Sequence, residues 1–277
     1  MACFNMPLFI VGAFLVLTLV AGIYFSSKAT TFREYAVGHK QFATATLVVT
    51  VLAAYYGAGG SIRNVQYVYK LGLFWIILGL FVNSFSIWLF SRLMLRMGPF
   101  MQNLSIAETM GNVYGKYPRI ITALVCIGQS IVGITMQIIA MVQAISMCVD
   151  LDLFYAQMVT IFAALIFIFY SIFGGVHTVT ITHILQFLIF TIIIPFLACF
   201  VLKKTGKSVI EVVSLLQTQE KFQFSSLCHF DTNLVRMITM CLCIMVPDIG
   251  SSAIMQRVYM SSEANQAKEV FIICQFV

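Results

Sequence analysis

The sequence predicts an all-α integral membrane protein, a multi-span helical bundle, on three observations. Hydrophobic residues make up 61% of the 277-residue chain and charged residues only 9%, a balance that soluble domains of this size do not keep. Apolar runs of roughly 20 residues, the length that crosses a bilayer as a helix, recur along it. One of them passes through Gly57-Ala58-Gly59-Gly60-Ser61, and glycines so densely placed invite the helix to unwind. The net charge of +6 then concerns topology and anionic lipid, and nucleic acid is not an expected partner.

The spans fall at about 7–25, 41–68, 73–95, 118–149, 154–173, 178–202 and 233–255, and an eighth begins near Glu269. The first has no Lys or Arg before its apolar run and no small-residue cleavage site after it, so it reads as a retained helix and not a signal peptide. The second carries the glycines. Unwound backbone in a bilayer survives only where protein or a water-filled cavity satisfies its carbonyls. Carriers use such breaks to bind cations, while close packing through small residues accounts for the same glycines without any function. The third span has Trp75 and Trp88 near opposite ends, where they suit the two aromatic belts.

The fourth span is long enough to need tilt or protrusion. Gln129, Gly133 and Gln137 share one of its faces, expected to meet other helices as polar glue or, in the functional alternative, solute. The fifth and sixth meet at Gly174-Gly175, a pair suited to a tight turn. Thr182, His183 and Gln186 follow in the first turns of the sixth span, facing the bundle. Segment 203–232 is polar enough to hold a surface helix around Val209–Gln217. Asp248, within or near the end of the seventh span, is a candidate functional carboxylate. Residues 255–269 read as a polar inner loop or short helix.

Lys and Arg in the loops favour an N-terminus outside the cell. The inner side then holds Lys28, Arg33, Lys40, Arg92, Arg96, Lys116, Arg119, Arg257 and Lys268. The outer side holds Lys70, Lys203, Lys204, Lys207 and Lys221, and Arg63 and Arg236 snorkel from span ends. The cysteines show no metal-ligand spacing, so free thiols buried in apolar spans are expected, without a disulfide framework. His39 reads as solvated and Glu108 as a surface charge. No nucleophile–base pair, phosphate loop or HExxH-like element appears, so an enzyme is not expected.

Three blocks resemble the sodium/solute symporter family, whose members carry proline, pantothenate and sugars. Tyr69-Lys70-Leu71-Gly72-Leu73 after the glycine-broken span is similar to that family's first core helix and the Tyr-Lys-x-Gly that follows it. Gly174-Gly175 with Thr182 and Leu185-Gln186 looks like its Gly-Gly signature. Gln256-Arg257 with Ser261, Ala264 and Ala267-Lys268 looks like its Gln-Arg element. The resemblance implies a five-plus-five helix transporter core of two inverted repeats. Residues 1–40 would be an extra N-terminal helix and inner loop, 41–202 the first repeat, 203–232 an outer loop and 233–277 the start of the second repeat. Members are longer, so the chain resembles the N-terminal half of one.

What the resemblance implies functionally is cation-coupled secondary transport of a small organic solute in the cytoplasmic membrane, with sodium the expected coupling ion and no other cofactor. Backbone carbonyls of Ala53 and Tyr56 would form part of the cation site, at a break made by Gly57, Gly59 and Gly60. His183, Gln186 and Asp248 would mark an ion path. The hydroxyl-bearing helix of the family lies beyond Val277, so a second chain supplying the missing repeat is an expected partner, and the chain alone is not expected to complete the site. Two residues depart from the family pattern. Tyr55 stands where members often have Asp or Asn, and His183 stands where the signature has Asp; both remove negative charge from a cation path. The alternatives are a symporter-like sensor domain of a signalling protein, or an inactive truncated remnant.

Overall fold

The computed structural model describes residues 31–148, 153–223 and 251–276, with single positions between 9 and 24 and between 235 and 239. The first and seventh expected spans, and Asp248, therefore lie largely or wholly outside the described residues. Among the described residues every regular element is a helix. In chain order these are α1 (Phe32–Val37), α2 (Thr44–Tyr55), α3 (Ala58–Leu71), α4 (Leu73–Met94), α5 (Ile106–Tyr114), α6 (Lys116–Cys148), α7 (Leu153–Thr205), α8 (Val209–Gln217), α9 (Ser252–Met260) and α10 (Ala264–Phe276).

Three stretches are long and apolar enough to cross a membrane: Leu73–Phe100, Lys116–Ser146 and Gly174–Thr205. The bent pair α2 and α3 makes a fourth if counted as one span. The most apolar window of Gly174–Thr205 has a mean hydropathy of 2.7 and none of it is buried inside the protein. A surface so continuously apolar suits hydrocarbon and not water.

α7 is two limbs joined at Gly175, whose φ of 57° and ψ of −156° interrupt the helix. Beyond it Val176 and His177 are already helical, two residues ahead of the expected start at Thr178. α8 has the expected bounds because Ser208 and Glu211 form a reciprocal capping box, which satisfies two otherwise orphaned N–H groups. Past α8, the short 3-10 turn Glu220–Phe222 docks on the α3–α4 corner. There Lys221 Nζ donates to the Tyr69 carbonyl at 2.8 Å and lies 4.5 Å from the centre of the Tyr69 ring. The Lys221 carbonyl approaches Gly72 so closely that any Cβ would overlap it, and Gly72 has a φ of 62°. Only glycine meets both conditions at once.

The core forms where α2, α4, α9 and α10 converge. Leu47, Val51, Phe90, Val258, Tyr259 and Phe271 are all at most 3% exposed. Phe90 meets Phe271 edge to face, with ring centroids 4.7 Å apart. Around this core the sequence-based expectations need four corrections. The span drawn to Met255 cannot continue so far, because Ser251 caps a new helix by accepting from the Ile254 N–H. The eighth element begins at Ala264, not near Glu269, because Gln266 reaches back to take the Ser262 N–H at 2.8 Å. Trp75 is not in a lipid-facing belt; it is buried and stacks on Tyr67 at 4.4 Å, whereas Trp88 is 43% exposed. Arg257, expected in a polar inner segment, is 8% exposed.

Candidate functional site

The glycine-broken span bends by 53° between its two halves. α2 ends at Tyr55, Tyr56 caps it by donating its N–H to the Leu52 carbonyl at 2.9 Å, and Gly57 begins the next helix in extended backbone. The Ser61 hydroxyl donates to the Tyr56 carbonyl at 3.3 Å across the break. A cavity of about 570 Å³ opens beside it. Tyr56, Gly57, Arg63, Asn83, Gln137 and Ser251 supply much of its polar lining. Trp75 closes one side and Cys274 of α10 another.

Of the residues expected at this site, Tyr56, Gly57 and Gly60 come together on the cavity. Gly59 lies in the first turn of α3. Ala53 is one turn back, buried and absent from the lining. The stripe on α6 divides. Gln137 reaches the break, its Nε2 3.2 Å from where a Gly57 Cβ would be. Gln129 is half-buried with its Oε1 enclosed and no hydrogen-bond partner among the described residues. Among the described residues nothing lies within 4 Å of a Cβ placed at Gly133.

A second arrangement is centred on Arg257 of α9. Its Nε donates to the Thr50 carbonyl of α2 at 3.2 Å, one terminal nitrogen to the Ala253 carbonyl one turn back, and the other to His183 Nδ1 of α7 at 3.1 Å. One side chain thus ties three helices. Burial pulls Arg257 down to about 10, so it stays protonated at neutral pH. Because His183 accepts through Nδ1, its proton sits on Nε2. That puts a permanent positive charge beside the histidine assigned to an ion path, and gives His183 a packing partner instead. Gln186, one turn on, is half-buried. The two cavities are separate, so the structure does not bring His183 and Gln186 to the break.

Neighbouring residues extend the clamp. Gln256 Nε2 donates to the Ala36 carbonyl and Gln266 Nε2 to the Phe42 carbonyl, each at 2.9 Å. Lys40 Nζ donates to the Met101 carbonyl, and partial burial with Arg33 nearby lowers its pKa. Tyr259 and Thr109 hydroxyls pair at 2.6 Å, and Asn103 donates to the same Thr109 oxygen at 2.9 Å. If Thr109 gives its proton to the Ser105 carbonyl, Tyr259 is the donor and the buried network is fully satisfied. Glu108, expected as a solvated charge, accepts the Leu104 N–H at 2.7 Å and completes the α5 start that Ser105 caps.

Sequence reasoning missed the roles of Arg257, Tyr259 and Gln266. The available signal was the apolar ring around them: Ile254, Met255, Val258 and Tyr259 flank Arg257 on α9, a pattern of burial and not of a polar loop. No family model matches the chain, and no curated protein matches it. The resemblance to sodium/solute symporters therefore stands on its three motif blocks.

Proposed function

We propose that the chain belongs to a cation-coupled secondary transporter of a small organic solute, with the cavity at the α2–α3 break as the binding site. The observation that carries this is the juxtaposition of a 53° bend with a cavity of about 570 Å³ whose largely apolar wall carries Tyr56, Asn83, Gln137 and Ser251. α2 ends at the break with its carbonyls and α3 begins there with its N–H groups. The negative end of one helix dipole suits a cation, and the positive end of the other suits a polar or anionic group of a solute. The carbonyl of Tyr56 and the side chains of Asn83, Gln137 and Ser251 offer oxygens, the ligand type a hard cation such as sodium selects. On this reading the protein sits in the cytoplasmic membrane with its N-terminus outside, and a second repeat, on this chain's continuation or on a partner, completes the site and rocks against the first.

Uptake by membrane vesicles tests it. Vesicles from source cells with the native gene are compared with vesicles from cells lacking it or carrying Gly60→Val. Labelled proline, pantothenate and glucose are offered with an inward sodium gradient. A Cβ on Gly60 would meet the Tyr55 carbonyl at 3.2 Å, and the larger valine must move backbone at the break. Sodium-driven accumulation of a solute should depend on the gene and fall at least about tenfold in Gly60→Val, the loss given by 1.4 kcal/mol of binding energy. Identical uptake of every solute with and without the gene contradicts the reading.

A further inference from the structure

We infer that the cavity enclosing Arg257 and His183 is a binding site for a small monovalent anion, a halide or a monocarboxylate, separate from the helix break. The cavity holds about 270 Å³, and Thr50, Thr180, His183, Gln256 and Arg257, with Tyr35 and Ser171, are its polar lining residues. Arg257 is 8% exposed, and a buried charge is costly unless it is paired. Among the described residues no carboxylate forms an ion pair with it; the one ion-pair contact joins His39 and Glu34. Its contacts are two backbone carbonyls and a neutral imidazole nitrogen, which carry dipoles but no negative charge. A guanidinium presents five N–H donors; these three contacts use three of them, and Arg257 lines the cavity.

The charge balance calls for a monovalent anion. A single guanidinium neutralises one charge, and among the described residues no second Lys or Arg lines the cavity. Liquid water takes about 30 Å³ per molecule, so the space accepts a chloride with accompanying water or a carboxylate of acetate size. Arginine pairs with carboxylates through two parallel N–H···O bonds, and Gln256, whose Nε2 spends one N–H on the Ala36 carbonyl, has a second to offer. The site lies between α1, α2, α7 and α9, so an anion there would strengthen the clamp that holds these helices.

The experiment is equilibrium binding of radiolabelled chloride and labelled acetate to the purified full chain in lipid nanodiscs, at fixed sodium and ionic strength. Wild type should bind one of the two saturably and melt at a higher temperature as that anion is added. Preference for chloride identifies a halide site and preference for acetate a carboxylate site. His183→Asp places a carboxylate beside the guanidinium at the position now held by Nδ1 at 3.1 Å. It should fold, melt no lower than wild type, and bind the anion at least tenfold more weakly, because the pairing charge is then internal. Wild type binding neither anion overturns the proposal. So does His183→Asp binding as tightly as wild type, since the anion must then sit elsewhere. Neither result touches the transport reading, which rests on the other cavity.

Discussion

Replacing Arg257 with alanine is expected to lower the stability of the chain in its membrane by about 3 kcal/mol, counting two inter-helix hydrogen bonds from a charged group at roughly 1.5 kcal/mol each. Those two bonds reach Thr50 on α2 and His183 on α7. The third contact, to Ala253, stays within α9 and adds little to holding helices together. Removing the charge also recovers desolvation energy, which offsets part of the loss. That offset separates two variants. Arg257→Met keeps an apolar stem in this buried position and should lose less than Arg257→Ala. Thermal unfolding in nanodiscs ranks them. If both variants melt with wild type, Arg257 is not the tie between these helices.

Gly175→Ala is expected to cost a similar amount by a different mechanism. Its φ of 57° with ψ of −156° is a backbone region that residues with a Cβ essentially do not enter, at a cost of about 1–3 kcal/mol. The added Cβ would also lie 2.8 Å from Tyr35 Cδ2 and 3.0 Å from the Tyr35 carbonyl oxygen. Tyr35 cannot simply swing aside, because its hydroxyl donates to the Ser171 carbonyl at 3.0 Å. α1 must therefore lift from α7. The expected signature is a lowered melting temperature together with faster tryptic cleavage at Arg33 and Lys40, which flank that contact. Gly128→Ala is the control: nothing lies within 4 Å of its Cβ position, and a helix interior gains roughly 0.5–1 kcal/mol from alanine.

The membrane class was legible because composition alone decides it: a chain with 61% hydrophobic residues has no aqueous fold to choose. The break was legible from Gly57 and Gly60, since glycine's cost in a helix is local and independent of neighbours. Its cavity was not, because Gln137 and Ser251 arrive from distant helices. Arg257 shows the limit most clearly. Met255-Gln256-Arg257 reads as polar on its own, and only the packing of α2 and α7 over it creates the burial. The start of α10 was misplaced by the polar run Asn265, Gln266, Lys268 and Glu269. Ala267, Val270, Phe271 and Cys274 recur there at helical spacing and are all at most 4% exposed. That periodicity was present in the sequence, and the surrounding polar residues hid it. The backbone carbonyls assigned by resemblance divide for a similar reason: Tyr56 faces the cavity, while Ala53 lies a turn inside α2.

The central claim is that the broken helix opens onto water inside the membrane-embedded bundle, and a charged, membrane-impermeant thiosulfonate reagent tests it directly. Single cysteines are placed at Gly57 and Gln137, which line the cavity, and at Leu124 and Ile192, which are 63% and 69% exposed on apolar helices. Each is made in a background without the native cysteines and probed in sealed vesicles and in opened membranes. Positions 57 and 137 should label quickly from at least one side, while 124 and 192 stay protected by hydrocarbon. Protection of 57 and 137 equal to that at 124 and 192, from both sides, would show that the glycines serve only close helix packing.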